Sequence, residues 1–238
     1  MARAKWDDGT LPYAAGAYLR LGVEPVELAP PRPRIAVLPA GGGRPERYPS
    51  LRSWELILDA LAGELGAGFV HVGRLGGSPE RTRTAILRAD VDALLERHPG
   101  SIDCFDRPLL DQLAHVAACD VLISPHTGFA YAGLTVGTPW LTISGGRWSE
   151  YFMAGVPFHS VMPDPGRYPW HAERHMEPVD DGDDGPRVVS MVRERIEEDL
   201  PEIVASASAL VDGRWRFEDC ERRHWPKIEE LKRSGVCT

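Results

Sequence analysis

Short apolar runs alternate along this chain with longer segments whose apolar residues recur at helical spacing. Five of these runs predict buried strands, over residues 34–39, 69–73, 101–105, 120–124 and 139–143, and a weaker sixth covers 158–162. Each run is almost continuously apolar. That pattern is typical of strands buried on both faces of a parallel sheet.

The segments between these runs predict helices. Ser50 is placed to cap a helix whose apolar positions extend from Leu51 to Leu65, and Gly66 is placed to end it. Further helices are predicted over 83–97, 109–117, 127–136, 188–210 and 217–234. Alternating strands and helices indicate the α/β class, here a Rossmann-like parallel sheet with helices on both faces and additional C-terminal helices.

The pattern divides the chain into three parts. Residues 1–33 predict a short helix over 14–21 and a Pro-rich linker over 29–33; residues 34–165 form the Rossmann-like domain. Residues 166–238 supply an acidic loop and helices that pack on the same domain. Because a linker precedes the first strand, we expect an additional domain or a partner chain to complete the molecule.

Composition narrows the classes of function. The formal net charge is -8 and the pI about 5.5, which disfavours binding to nucleic-acid phosphates. Four cysteines stand far apart without a C-x-x-C pair, as expected of reduced thiols in a cytoplasmic protein. No apolar run approaches the ~20 residues of a membrane-spanning helix, and the N-terminus lacks a signal-peptide core.

Glycine-rich turns follow three of the predicted strands. Gly41, Gly42 and Gly43 follow the first strand, where glycine permits positive φ and close approach of a ligand, and Arg44 or Arg47 could neutralise phosphate. The alternative is a plain flexible turn. Ligands of such sheets bind outside the carboxyl ends of the strands, so these turns are the candidate site.

The turn after the fourth strand contains His126, Thr127 and Gly128. Thr127 is a natural helix cap, and Gly128 would let a phosphate approach the helix N-terminus. His126 could donate to that phosphate or, alternatively, serve as a hydrogen-bonded residue of a capping turn. Gly145 and Gly146 follow the fifth strand. Three such turns on one sheet edge favour a phosphorylated ligand.

The same positions carry a family resemblance. Residues 35–161 resemble the C-terminal, donor-binding half of a GT-B glycosyltransferase, nearest in type to the ADP-heptose:lipopolysaccharide heptosyltransferases of glycosyltransferase family nine. The matching features are Arg47-Tyr48-Pro49 after the glycine turn, a strand ending in Gly73, the run 111–123 and the run 126–139. In the last run the family reads Asp-Thr-Gly-Pro-x-His-x-Ala-x-x-x-Gly-x-Pro. His126 stands in place of the Asp and Tyr131 in place of the His, which leaves the sugar open.

This resemblance implies a metal-independent transferase whose substrate is a nucleotide-sugar and which needs no further cofactor. Its diphosphate would lie on Thr127, Gly128 and the first glycine turn, with His126 and Arg47 as candidate stabilisers of the leaving group. The predicted binding residues are Gly41, Gly42, Gly43, Arg44, Gly73, Arg74, His126, Thr127, Gly128, Gly145 and Gly146. No catalytic base is identified, and we expect it on an acceptor domain, a partner chain or a second copy. The alternatives are a non-catalytic nucleotide-binding subunit and a sugar-nucleotide epimerase.

Two clusters resemble metal sites. The acidic run 180–184 contains a D-x-D pattern, but its position between Pro178 and Pro186 favours a solvated loop. The histidines and glutamates between His159 and Glu177 lack the spacing of a zinc site. We therefore predict no metal.

Ser124 and Ser144 lack a G-x-S-x-G turn, which disfavours a hydrolase.

Overall fold

The computed structural model describes residues 19–77, 82–146, 155–170 and 177–233. These residues form six strands in one parallel sheet with the order β3-β2-β1-β4-β5-β6. The strands are β1 (Arg34–Val37), β2 (Gly68–His71), β3 (Ile102–Asp103), β4 (Val121–Pro125), β5 (Trp140–Ile143) and β6 (Phe158–Val161). The predicted α/β Rossmann-like class is therefore confirmed.

Six α-helices accompany this sheet in the described part of the chain. They are α1 (Leu51–Leu65), α2 (Arg88–Arg97), α3 (Leu109–Ala117), α4 (Gly128–Thr135), α5 (Arg193–Val211) and α6 (Phe217–Arg233). Helix α1 contacts α2, and α3 contacts α4, as expected when right-handed crossovers place the first pair on one face of the sheet and the second pair on the other. Helix α5 packs against α1, and α5 and α6 both contact β6.

The order of the strands reverses between β1 and β4. Helices α1 and α4 begin just beyond these two central strands, on the edge where the carboxyl ends lie. The residues of the two strands β1 and β4 are almost completely buried: Ile35, Val121 and Leu122 have no exposed surface. Open α/β sheets bind ligands in a crevice at this reversal point. The fold therefore indicates that the turns after β1 and β4 form the candidate ligand site.

The helix boundaries differ from prediction in three places. Helix α2 begins at Arg88 rather than at residue 83, because the segment before it bonds to neighbouring turns: Ala85 N–H donates to the Gly41 carbonyl at 2.8 Å. A 3-10 turn over Val189–Met191 precedes α5, which begins at Arg193 rather than at 188. Residues 19–21, the described end of the predicted first helix, are not helical, and 14–18 lie outside the described residues.

No helix of the described ranges is long and apolar enough to cross a membrane.

Candidate functional site

The turn after β1, residues 40–44, is called here the glycine loop. None of its three glycines has a positive φ, so the loop does not use the backbone conformation that glycine permits. The glycines are required by close packing: a Cβ on Gly42 would lie 1.8 Å from Thr82 Cγ2, and one on Gly41 would lie 2.7 Å from the Tyr48 hydroxyl. The Gly43 N–H also donates to that hydroxyl at 2.9 Å.

Helix α4 begins at the same sheet edge with an open N-terminus. The Thr127 hydroxyl caps it by accepting from the Ala130 N–H at 3.4 Å. Gly128 is exposed, and a Cβ built on it would meet nothing within 4 Å. The first N–H groups of a helix have no acceptor inside the helix, so this end attracts an anion.

A cleft of about 540 Å³, called here the first cleft, lies between the glycine loop and α4. Thr82, Thr84 and Thr127 line it together with Gly128, and none of its described lining residues is charged. The apolar side of the cleft is formed by Leu38, Leu109, Phe129 and Ala132. Hydroxyls and helix N–H groups beside an apolar wall suit a ligand that joins a phosphate to a ring system.

The N-terminus of α1, in contrast, is occupied by the chain's own carboxylates. Ser50 caps α1 and its hydroxyl donates to Asp183 Oδ2 at 2.7 Å, while Leu51 N–H lies 3.5 Å from Asp184 Oδ2. Asp183 also forms a 2.6 Å ion pair with Arg193 at the start of α5. The acidic loop (residues 180–185) therefore links the N-termini of two helices. Since only 5% of the Asp183 side chain is exposed, the predicted solvated loop is wrong at this residue.

The structure brings some of the predicted site residues together. Gly41, Gly42, Gly73, Thr127 and Gly128 all line the first cleft. A Cβ on Gly73 would lie 2.5 Å from the Phe105 ring, so glycine is required at this wall.

Other predicted residues are not among the described residues that line the first cleft. Arg44 is exposed and paired with Glu46 at 2.8 Å, and Arg47 is exposed on the following 3-10 turn. Arg74 Nε donates to the Gly76 carbonyl at 2.7 Å. Gly145 and Gly146 are buried after β5, where Gly146 N–H donates to the Ser144 hydroxyl at 3.1 Å.

The His126 side chain points onto aromatic neighbours. Its Nε2 lies 2.6 Å from the Tyr131 hydroxyl, and its ring packs near the Trp140 ring. The two positions that depart from the family pattern thus contact each other directly. His126 is not among the described residues that line the first cleft.

Three residues that line or support the turn after β2 were not identified from the sequence, and of these only Thr84 lines the first cleft. Gln112 is fully buried; its Oε1 accepts from Gly73 N–H at 3.1 Å and its Nε2 donates to the Gly73 carbonyl at 3.0 Å. Thr84 Oγ1 accepts from Arg74 N–H at 2.9 Å. Asp106 Oδ1 accepts from the N–H groups of Leu75 and Gly76. Asp106 has a φ of 60°, a strained value that could not be deduced from sequence spacing.

The remaining candidate groups are engaged in structural contacts. Cys104, Cys119 and Cys220 are buried, and burial raises the pKa of the Cys119 thiol to about 12. His159 pairs with Glu202 at 2.8 Å, and His171 and His175 lie outside the described residues. Within the described ranges no group of three or more His, Cys, Asp or Glu side chains could hold a metal ion.

Comparison with known proteins identifies solved structures that have a similar fold. No protein-family model matches the sequence, and no curated protein matches it either. Among solved structures, the dodecameric iron-containing heptosyltransferase TibC, in complex with ADP-D-beta-D-heptose, superposes with a TM-score of 0.53 at 13% identity. The match covers 82% of this chain and 50% of TibC. The chain has a GT-B glycosyltransferase fold.

Two further similar structures are also glycosyltransferases. The glycosyl transferase family 9 protein of Veillonella parvula DSM 2008 has 15% identity and a TM-score of 0.45, covering 72% of this chain and 46% of that protein. ADP-heptose lps heptosyltransferase II of E. coli has 15% identity and a TM-score of 0.45, covering 75% and 48%. The chain thus spans about half the length of the structures that it matches.

Proposed function

We propose that this chain is the donor-binding part of a glycosyltransferase and that it binds a nucleotide-sugar in the first cleft. The observation that carries the proposal is the contrast between two helix N-termini at one sheet edge. The start of α1 is filled by Asp183 and Asp184, whereas Gly128 leaves the start of α4 open to the cleft. An anionic ligand at this edge therefore favours α4.

The diphosphate would lie on the first turn of α4, near the hydroxyls of Thr82, Thr84 and Thr127. The nucleoside would pack on the apolar wall that includes Leu109 and Phe129. As the bond to the sugar breaks, negative charge develops on the departing diphosphate. Helix N–H groups stabilise that charge, and they do so without a metal ion. Arg47 and Arg74, at the same edge, would add positive charge, and no cofactor takes part.

No candidate base is found among the described residues that line the first cleft. Its described lining residues include no carboxylate and no histidine. Removal of the proton from an acceptor hydroxyl by a positioned base contributes typically ~10²–10⁴ in rate. We infer that the base comes from a further domain, a partner chain or a second copy; TibC, the neighbour with the same fold, is dodecameric. The second candidate function is that of a non-catalytic nucleotide-binding subunit. The absence of a base among the described lining residues favours this candidate as well.

Binding and transfer assays separate these candidates. A thermal-shift panel of nucleoside diphosphates and nucleotide-sugars, repeated with EDTA, should show stabilisation that persists without divalent metal. Stabilisation that disappears with EDTA would contradict the metal-free scheme. Efficient multiple-turnover sugar transfer by a monodisperse monomer would contradict the proposal that the base lies elsewhere.

A further inference from the structure

A second cleft, also of about 540 Å³, opens beside the first. The hydrogen bond from Ala85 N–H to the Gly41 carbonyl bridges the wall between them. Ala40, Gly42 and Thr84 line both clefts, so a molecule in one lies directly beside a molecule in the other. The proposed donor site does not use this second space.

The floor of the second cleft is apolar and fixed in place. Pro39, Pro45 and Pro49 line it with the rings of Tyr48 and Trp54. Trp54 Nε1 donates to the Pro39 carbonyl at 2.9 Å, and the Tyr48 hydroxyl accepts from the Gly43 N–H. Trp54 is buried and supports the floor from below, whereas the half-buried Tyr48 ring offers apolar surface to a flat ligand at little cost in conformational entropy.

Four charged side chains line the second cleft, and three are already compensated. Arg187, only 5% exposed, pairs with Asp184 at 2.6 Å. Asp90 lies in the first turn of α2 and accepts from the Leu87 N–H at 3.2 Å. Its negative charge is therefore met by the positive end of that helix.

Arg83 is the remaining charge. It is exposed, and its guanidinium makes no hydrogen bond or ion pair with any residue in the described ranges. An uncompensated guanidinium at the rim of an apolar cleft favours an anionic group on the ligand, such as a phosphate or a carboxylate.

We propose that the second cleft binds a ligand that joins a flat apolar body to one anionic group, with the body on Tyr48 and the prolines and the anion on Arg83. The cleft adjoins the proposed donor site, so the acceptor is the substrate that fits this position. That role rests on the proposed function, whereas binding at the second cleft does not.

Phenyl phosphate is the probe, with inorganic phosphate and benzyl alcohol as the two half-ligands. We expect NMR titration, followed at the ring signals of Tyr48 in the second cleft, to show phenyl phosphate binding at least tenfold more tightly than either half-ligand. Ala85→Trp, which fills the second cleft, should abolish this binding, and Arg83→Gln should weaken it about tenfold through loss of a charge-assisted hydrogen bond. Arg83 is exposed, so its replacement leaves the fold intact.

Ala132→Trp is the matched control, because Ala132 lines the first cleft and not the second. It should leave the phenyl phosphate affinity measured at the Tyr48 ring unchanged and reduce the affinity for ADP or UDP. Equal affinity for phenyl phosphate and its half-ligands, or binding retained in Ala85→Trp or lost in Ala132→Trp, would overturn the inference. Loss of nucleotide binding alone would count against the proposed function and not against the second site.

Discussion

Ser50 and Asp183 lie 133 positions apart in the sequence, and the Ser50 hydroxyl donates a 2.7 Å hydrogen bond to the Asp183 carboxylate. The same hydroxyl oxygen caps α1 by accepting from the Ser53 N–H at 3.1 Å. One contact therefore ties the acidic loop to α1 and neutralises the helix end where an anion would otherwise bind. The consequence is that, of the helices α1 and α4, it is α4 whose N-terminus is open at this sheet edge.

Ser50→Ala is expected to destabilise the fold without changing nucleotide affinity. It removes the cap of α1 and the hydroxyl partner of Asp183, and it should lower the unfolding free energy by about 2 kcal/mol. Urea denaturation measures this change. Ser208→Ala is the control, because that hydroxyl bonds to Asp212 near the surface and its loss should cost less than about 0.5 kcal/mol. Wild-type stability in Ser50→Ala would show that the contact does not hold α1.

Gln112→Leu tests the support of the first cleft. The buried amide satisfies both the N–H and the carbonyl of Gly73, and leucine satisfies neither. Each buried polar group left without a partner costs about 1–3 kcal/mol, so we expect a loss of at least about 2 kcal/mol in urea denaturation. Nucleotide affinity should also fall, because Gly73 lines the cleft. Unchanged stability would mean that the Gly73 turn is held by other contacts.

His71 makes stability dependent on pH. It is fully buried on β2, and its two ring nitrogens have no hydrogen-bond partner among the described residues. Burial lowers its pKa from 6.5 to about 4. The nearby Asp103 partly opposes this shift. Because the unfolded state takes up the proton first, stability is present above pH 6.5 and is lost as pH falls towards 4.

The expected loss from this residue between pH 7 and pH 4.5 is about 2 kcal/mol of unfolding free energy. His71→Leu should remove that part of the pH dependence in urea denaturation, whereas His159→Gln should retain it. An identical pH profile for wild type and His71→Leu would mean that folding does not shift the pKa of His71.

The sheet could be predicted from sequence because each central strand carries its own signature. Val121, Leu122 and Ile123 are consecutive and all fully buried, as both faces of a parallel sheet require. The strand β3 was predicted as five residues and has only two, because Cys104 and the residues after it enter the turn beside Gly73. Prediction was weakest where turns bond to other turns.

The site was only partly predictable, for a related reason. Gly128 and Thr127 follow a strand directly, so their position at the sheet edge comes from local pattern alone. The burial of Asp183 depends on Ser50 and Arg193, and the local composition of the loop indicates solvent exposure instead. The direction of the His126 ring depends on Tyr131 and Trp140 in the same way. Leu109 belongs to the predicted helix 109–117, yet it is 40% exposed and forms part of the cleft wall.

The central claim is that a nucleoside diphosphate binds at the N-terminus of α4, and Gly128→Val tests it most directly. The valine side chain would enter open space in the first cleft, so the fold should be retained while the phosphate is excluded. Gly63→Val is the matched control, because Gly63 is also an exposed helical glycine whose Cβ would meet nothing within 4 Å, on the distant α1.

Isothermal titration of ADP and UDP into wild type and both variants, in EDTA, is the measurement. We expect binding to wild type and to Gly63→Val, and no detectable binding to Gly128→Val. In a thermal-shift measurement, nucleotide at about 100 times Kd should raise the unfolding free energy of the two binding proteins by ~2.7 kcal/mol. A folded Gly128→Val variant that binds the nucleotide as tightly as Gly63→Val would place the ligand elsewhere and contradict the account.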